Sequence, residues 1–451
     1  MDDINIPNRP LPLYLSMPGT AAFIVLLFVL LNRTASAAMR FVIFAIWARL
    51  MMSANHQITF ESSPIGLSWN ALGSIALFFL GLLVIRKRPL LVPVLVPIYL
   101  MAIVVFLSGM LNGALGGMIA MLVKYGYLAV LILAVMDALE DIGAERFFKL
   151  VIWPFAVPFG FQFLSIVGGI YKQSEGSGSA AYVGGYPHEA IFSVGLSAGL
   201  LVVCLARGIR PAIKAPLVLY GFFAITMANY RTAILAMGPL VLAVMFTGGV
   251  RRFVPRDRAL ATGAMALVIA AAIATGVLAG QDRFADLGVV AEQGGQIIQP
   301  PGDFDREEQR LLSARPYIWS MYYYGWKESS DLQHLVGLGP DAWLGVFKKY
   351  AHNTLFSYIY ELGVFGVAAV LFLWAFMAAL ALRTAPDVRP RLIAAHFSFF
   401  LLNMSTMPLW QIEGMIFYGL LCGYTASCAN EARFLRRSAV LERRSRRLQR
   451  A

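Results

Sequence analysis

Charge is what this sequence has least of. Only 14% of its 451 residues are Asp, Glu, Lys or Arg, against 59% that are apolar. A soluble chain so poor in ionic side chains would expose more apolar surface than water tolerates. Cysteine is scarcer still. Cys204, Cys422 and Cys428 all fall in apolar stretches, so the polar segments carry neither a disulfide framework nor a Cys-based metal site. No low-complexity tract, convincing internal repeat or soluble domain can be read along the chain.

What the chain has instead is long apolar runs, each of about 17–25 residues and so able to cross a bilayer as a helix. The pattern predicts an all-α, polytopic membrane helix bundle of about 12–13 spans. The first six are Tyr14–Leu31, Ala37–Ala54, Gly66–Ile85, Leu90–Leu111, Ala114–Met136 and Leu150–Ile170. Ala190–Ala206, Ala215–Ala228, Ala233–Gly249 and Ala259–Gly280 follow. Asn353–Leu382, Leu392–Pro408 and Gln411–Cys428 complete the set. Four regions result: N-terminal spans over 1–280, a large polar loop over 281–352, C-terminal spans over 353–428 and a basic tail over 429–451. Ala35-Ser36-Ala37 resembles a signal-peptidase site, but Asp2 and Asp3 precede the first run where a leader peptide carries positive charge, so this span is read as retained.

The net charge of +12 does not point to nucleic acid, because its carriers sit between spans. Arg86-Lys87-Arg88, Arg207/Arg210/Lys214, Arg251/Arg252/Arg256/Arg258 and Arg383/Arg389/Arg391 each occupy such a position, and the tail from Glu431 adds eight Arg against two Glu. This is the positive-inside pattern. All five clusters fall on one side by parity, which puts the C-terminus in the cytoplasm. Counting every span puts the N-terminus outside, and one misread early helix would reverse that end. The tail is either solvated or touches anionic headgroups.

Three segments then face outward: Tyr171–Glu189, the Asn229-Tyr230-Arg231-Thr232 corner, and the loop Gln281–His352 with its ten acids and seven bases. The loop starts irregular, rich in Gly, Pro and Gln. From Asp305 to Gly325, Leu311, Leu312, Ile318, Trp319, Met321 and Tyr322 are spaced for one apolar face, which predicts a surface helix capped by Asp305. Gly337-Leu338-Gly339-Pro340 marks a tight turn, and Asn353 is placed to cap the next span.

Several residues here suit chemistry, each beside a plainer reading. Arg231 and Arg315 suit a diphosphate clamp, or anchor helix ends by snorkelling. Arg283, Arg306 and Arg310 are less specific. His352 suits a general base, or merely starts a helix. Glu361 falls about two turns into a span, where an acid invites a functional role and an arginine partner. His188-Glu189 offers two metal ligands, too few for a site. Asp303-Phe304-Asp305 has D-x-D spacing, which chance explains in so acidic a loop. Trp319, Trp326, Trp343 and Tyr322–Tyr324 stack on sugars or form an interfacial belt.

R-P-Y-I-W, V-G-L-G-P-D-A-W and H-N-T-L-F-S-Y-I-Y-E-L-G-V-F-G, in that order, resemble the signature of the O-antigen ligase/polysaccharide polymerase superfamily with its Wzy_C-type domain. N-Y-R-T-A-I-L-A and G-G-Y-P-H-E-A-I-F-S resemble its arginine corner and its glycine–histidine loop. Tyr230 stands where that family has a small residue, and Glu189 where it often has asparagine. The resemblance spans about Gly184 to Gly366 and implies a GT-C-type fold in the bacterial inner membrane, with the site at the periplasmic face. It implies a metal-independent glycosyltransferase without cofactor. The donor would be an oligosaccharide on undecaprenyl diphosphate, and the acceptor another lipid-linked repeat (a polymerase) or lipid A–core (a ligase). Membrane lipids and a chain-length regulator would be further partners, and nucleic acid none. By the same likeness Arg231 and Arg315 hold the leaving group and His352 serves the acceptor. Glu361, Asn353, His188, Tyr322, Trp319 and Arg310 would line the substrate. A lipid-linked glycan flippase is the reading from another class, and it would place polarity at mid-membrane.

Overall fold

The structure, a computed structural model, describes residues 11–64, 66–86, 92–173, 180–249, 254–260, 262–264, 267, 298–306, 308–309 and 314–448. It is 78% helical, and the strands among the described residues are one small hairpin pairing Lys172–Gln173 with Ala180–Ala181. Helices α1 to α5 run Leu13–Asn32, Ala37–Ala54, Trp69–Val84, Val96–Leu111 and Leu115–Val151. Then come α6 Ala156–Val167, α7 Glu189–Leu205, α8 Pro211–Met227 and α9 Arg231–Gly249. Two shorter helices follow, α10 Arg315–Lys327 and α11 Asp331–Val336, then α12 Thr354–Leu382, α13 Arg389–Asn403 and α14 Ile412–Leu448. Among the described residues six helical segments are long and apolar enough to cross a membrane, and α3, α7 and α8 are shorter apolar helices. The architecture is that of an all-α polytopic membrane protein.

Local chemistry sets where the helices start. Ser36 and Ser68 cap α2 and α3 by accepting from Met39 N–H and Ala71 N–H, both at 3.1 Å. Pro211 opens α8, where its missing N–H costs nothing. The core centres on α5 packed against α14. Gly419 and Gly423 of α14 face Leu131 and Val135 of α5 so closely that a Cβ at either glycine would overlap those side chains. This is the small-residue spacing by which membrane helices approach.

Contacts sort the helix ends into two groups. At one end Arg86 pairs with Glu140 and Asp141, Arg207 with Asp387, and Arg436 donates to Arg383 O. Gly208 lies against Glu145, which joins these contacts into one basic face. At the other end Tyr182 N–H donates to Met227 O, Tyr186 Oη to Leu50 O and Tyr230 Oη to Ser405 O. Arg86, Arg207, Arg383 and Arg436 therefore share one end, and α10, α11 and the helix starts at Arg231 and Thr354 share the other.

Several boundaries differ from expectation. The surface helix starts at Arg315 and not at Asp305. Asp305 and Glu308 do form a reciprocal cap, with Glu308 N–H to Asp305 Oδ1 at 2.7 Å and Asp305 N–H to Glu308 Oε2 at 3.1 Å. Ala314 then takes a left-handed conformation at φ 65°, and Pro316 restarts the chain as α10. Helix α5 runs beyond Met136 to a kink at Gly143. A 3-10 turn at Trp153–Phe155, begun by Pro154, shortens the next helix. Helix α13 ends at Asn403 and not Pro408, because the chain turns through Met407 at φ 55°. The basic tail extends α14 to Leu448, since arginine is a good helix former. Most of Ala259–Gly280 lies outside the described residues.

Candidate functional site

Helix α10 organises the site. Arg315, Trp319 and Tyr322 are spaced four and three apart, which puts them on one helix face. Trp319 Nε1–H donates to Ala351 O at 2.9 Å, and Tyr322 Oη–H donates to Lys349 O at 3.1 Å. The stretch 349–351 is thereby fastened to the helix that carries Arg315. Trp319 also stacks on Phe356 with centroids 5.3 Å apart and planes at 8°, and Tyr322 is fully buried against Phe347 and Tyr360. The polar atoms of these two rings are spent on backbone. They position the loop, a role beside the sugar stacking and the interfacial belt between which the sequence leaves them.

His352 follows at φ 54°, a left-handed conformation that a non-glycine residue holds only when its surroundings compel it. Asn353 provides part of that compulsion. Its Oδ1 accepts from Leu355 N–H at 2.8 Å and Phe356 N–H at 3.3 Å, capping α12, while its Nδ2 donates to Met404 O at 3.2 Å. Thr354 Oγ1 adds a bond to Asn403 Oδ1 at 2.8 Å. The His352 ring lies 3.9 Å from that of Tyr350, and its Nδ1 is buried without a hydrogen-bond partner among the described residues. Burial, then the charges of Arg315, His188 and Lys349, push its pKa down to about 3. The imidazole is neutral at pH 7, with a lone pair to offer.

The arginine corner meets this assembly. Arg315 Nη1 donates to Thr232 Oγ1 at 3.4 Å, and Thr232 follows Arg231, which opens α9. Asn229 turns the chain at φ 56°, and Tyr230 pins the corner through Ser405 O. His188 caps α7, its Nδ1 accepting from Ala190 N–H at 3.1 Å, and its ring lies 6.5 Å from that of Tyr350. The structure thus brings Arg315, the Arg231–Thr232 corner, His188 and His352 to one region.

Glu361 is placed differently. Helix α12 breaks at Gly363, φ 65°, so Glu361 ends a short segment and does not continue into the span. It has no exposed surface; its Oε1 accepts from Ser357 Oγ at 2.7 Å and its Oε2 from Asp341 N–H at 3.0 Å. Its carbonyl accepts from Ser108 Oγ at 2.7 Å and Gly339 N–H at 3.0 Å. The expected arginine partner is replaced by this set, with Lys124 the cation acting on it. Gly337 and Gly363 meet backbone to backbone, where a Cβ on either would overlap the other's strand of chain. This clamp explains why G-L-G-P and E-L-G occur together.

Arg310 and Arg283 lie outside the described residues. Asp303-Phe304-Asp305 spends Asp305 on its cap, and Phe304 packs edge-on to Tyr317. Among the described residues no three His, Cys, Asp or Glu side chains gather where one ion could bind them. Sequence reading missed Tyr350, Trp410 and Lys124. Lys124 was findable, as a lone cation inside an apolar run. No known family model matches the chain, and no curated protein matches it.

Proposed function

We propose that this chain is a GT-C-type glycosyltransferase of the bacterial inner membrane. It transfers a glycan from undecaprenyl diphosphate onto the next lipid-linked repeat, as a surface-polysaccharide polymerase does. The basic face lies in the cytoplasm and the His352 end faces the periplasm, as the distribution of arginine favours. The observation that carries the reading is the meeting of Arg315 with the Arg231–Thr232 corner, beside a neutral histidine whose Nδ1 has no partner among the described residues.

In this reaction an acceptor hydroxyl oxygen bonds to the anomeric carbon while that carbon's bond to the diphosphate breaks. The electron pair leaves on the diphosphate oxygen, facing the guanidinium groups of Arg231 and Arg315. His352 takes the hydroxyl proton and releases it to solvent. A bound diphosphate offsets the charge of Arg315 that otherwise depresses His352, so the base strengthens when donor is present. A diphosphate is already a good leaving group, so positioning does much of the work.

Purified protein in detergent is expected to elongate an undecaprenyl-diphosphate-linked repeat without any vesicle gradient. Arg231→Ala, Arg315→Ala and His352→Ala should each lower turnover by about 100-fold or more. Wild-type yield from Arg315→Ala would remove the clamp from the mechanism, and activity only across a sealed vesicle would favour transport. The acceptor is settled in cells lacking the gene. Single repeats on lipid A–core mark a polymerase, and long chains left on the lipid carrier mark a ligase.

A further inference from the structure

Two short pieces of the polar loop carry apolar side chains that no described residue covers. Helix α11 exposes Leu332 and Leu335, at 53% and 46%, three positions apart and so neighbours on one face. The turn after it exposes Leu344 and Val346, at 59% and 62%, on either side of Gly345, which bends the chain at φ 79°. Both pieces are fastened to the turn between α4 and α5. Gln333 Nε2 donates to Asn112 Oδ1 at 3.3 Å, and Asn112 Nδ2 donates to Gly337 O at 3.0 Å. Pro340 O lies so close to Gly117 that a Cβ there would overlap it.

That turn is itself rimmed with apolar surface. Met110 and Leu111 at the end of α4, and Leu115 and Ile119 at the start of α5, are exposed, and both helices belong to segments long and apolar enough to cross a membrane. On α11, Gln333 is spent on Asn112 and Val336 is buried, which leaves Leu332 and Leu335 on the outward flank. Their surface continues one that faces acyl chains. The polar neighbours suit the headgroup level. Lys327 Nζ lies 5.2 Å from the Tyr324 ring centre just ahead of α11, and exposed Lys348 follows the turn. Aromatic and lysine side chains collect at that depth, the lysines reaching from an apolar stem toward phosphate. A second copy docked through the same surface would set these lysines against their duplicates, whereas a phospholipid offers them an anion.

We propose that α11 and the 344–346 turn insert into the leaflet at the His352 end. Leu332, Leu335, Leu344 and Val346 reach about 5–10 Å into the boundary between headgroups and acyl chains. The partner is the phospholipid surface, and the anchor sets the height of the loop that ends in His352. This goes beyond the transfer chemistry and does not depend on it, since it needs no substrate at the site.

The test places the full chain in phosphatidylcholine–phosphatidylglycerol nanodiscs, which leave both faces open to solvent. Leu332→Cys, Leu335→Cys, Leu344→Cys and Val346→Cys each carry an environment-sensitive fluorophore; the native cysteines are buried. Glu328→Cys, at an exposed position, is the solvent reference. All four labels should emit to the blue of that reference and be quenched less by aqueous iodide. A phosphatidylcholine with a nitroxide high on its acyl chain should quench them more than one with the nitroxide at the chain end. Melting temperatures near wild type show that each variant is folded. Iodide quenching equal to the reference at both α11 positions, or at both turn positions, overturns the proposal. Labels shielded from iodide yet untouched by either nitroxide also overturn it, because protein and not lipid then covers the patch.

Discussion

At the scale of single residues, His352 combines a strained backbone with a suppressed charge. Its φ of 54° costs about 1–2 kcal/mol in a residue with a Cβ. His352→Gly should therefore melt above His352→Ala in detergent, while on the proposed mechanism both variants are inactive; equal melting temperatures would show that the surroundings absorb the strain. The lowered pKa gives a second expectation. Unfolded His352 takes up a proton near its ordinary pKa and the folded residue does so only near 3, so stability held above about pH 6.5 is lost as pH falls through that window. Wild type should lose more melting temperature than His352→Gln between about pH 7 and pH 5; parallel profiles would remove the effect. Arg231, Arg315 and His352 could be singled out from sequence because polar residues at apolar boundaries attract attention. The roles of Trp319 and Tyr322 could not, since their partners are backbone carbonyls some thirty positions away, and sequence pattern carries no record of those.

At the scale of elements, apolar runs located most helices well, Ala37–Ala54 to the residue. The failures share a cause. Left-handed residues Ala314 and Met407 and the break at Gly363 are set by tertiary contact, and periodicity does not see them. The Gly337–Gly363 clamp shows what such contact is worth. Leu338 N–H and Gly339 N–H donate to Tyr360 O and Glu361 O at 2.9 and 3.0 Å, and Asn112 Nδ2 donates to Gly337 O at 3.0 Å. Gly363→Ala should destabilise by about 1–3 kcal/mol from its backbone angles alone, which glycine alone adopts readily, and by more through overlap with Leu335 O. A melting temperature unchanged from wild type would mean that the two turns separate readily.

At the scale of the molecule, the two faces predict sidedness. The native cysteines Cys204, Cys422 and Cys428 are buried, which leaves introduced thiols as clean reporters. Glu328→Cys, exposed at the end of α10, should react with an impermeant maleimide in spheroplasts, and Ser438→Cys, exposed on α14, only after permeabilisation. The reverse pattern would place His352 in the cytosol and exclude a periplasmic reaction. One consequence of the bracing by Trp319 and Tyr322 reaches further. Because α10 carries Arg315 and also grips the chain just ahead of His352, the gap between them behaves as a fixed gauge. On the proposed reaction, substrates of different girth are met by the side chains around this gap and not by widening it, because the two indole and phenol bonds that brace it run to backbone.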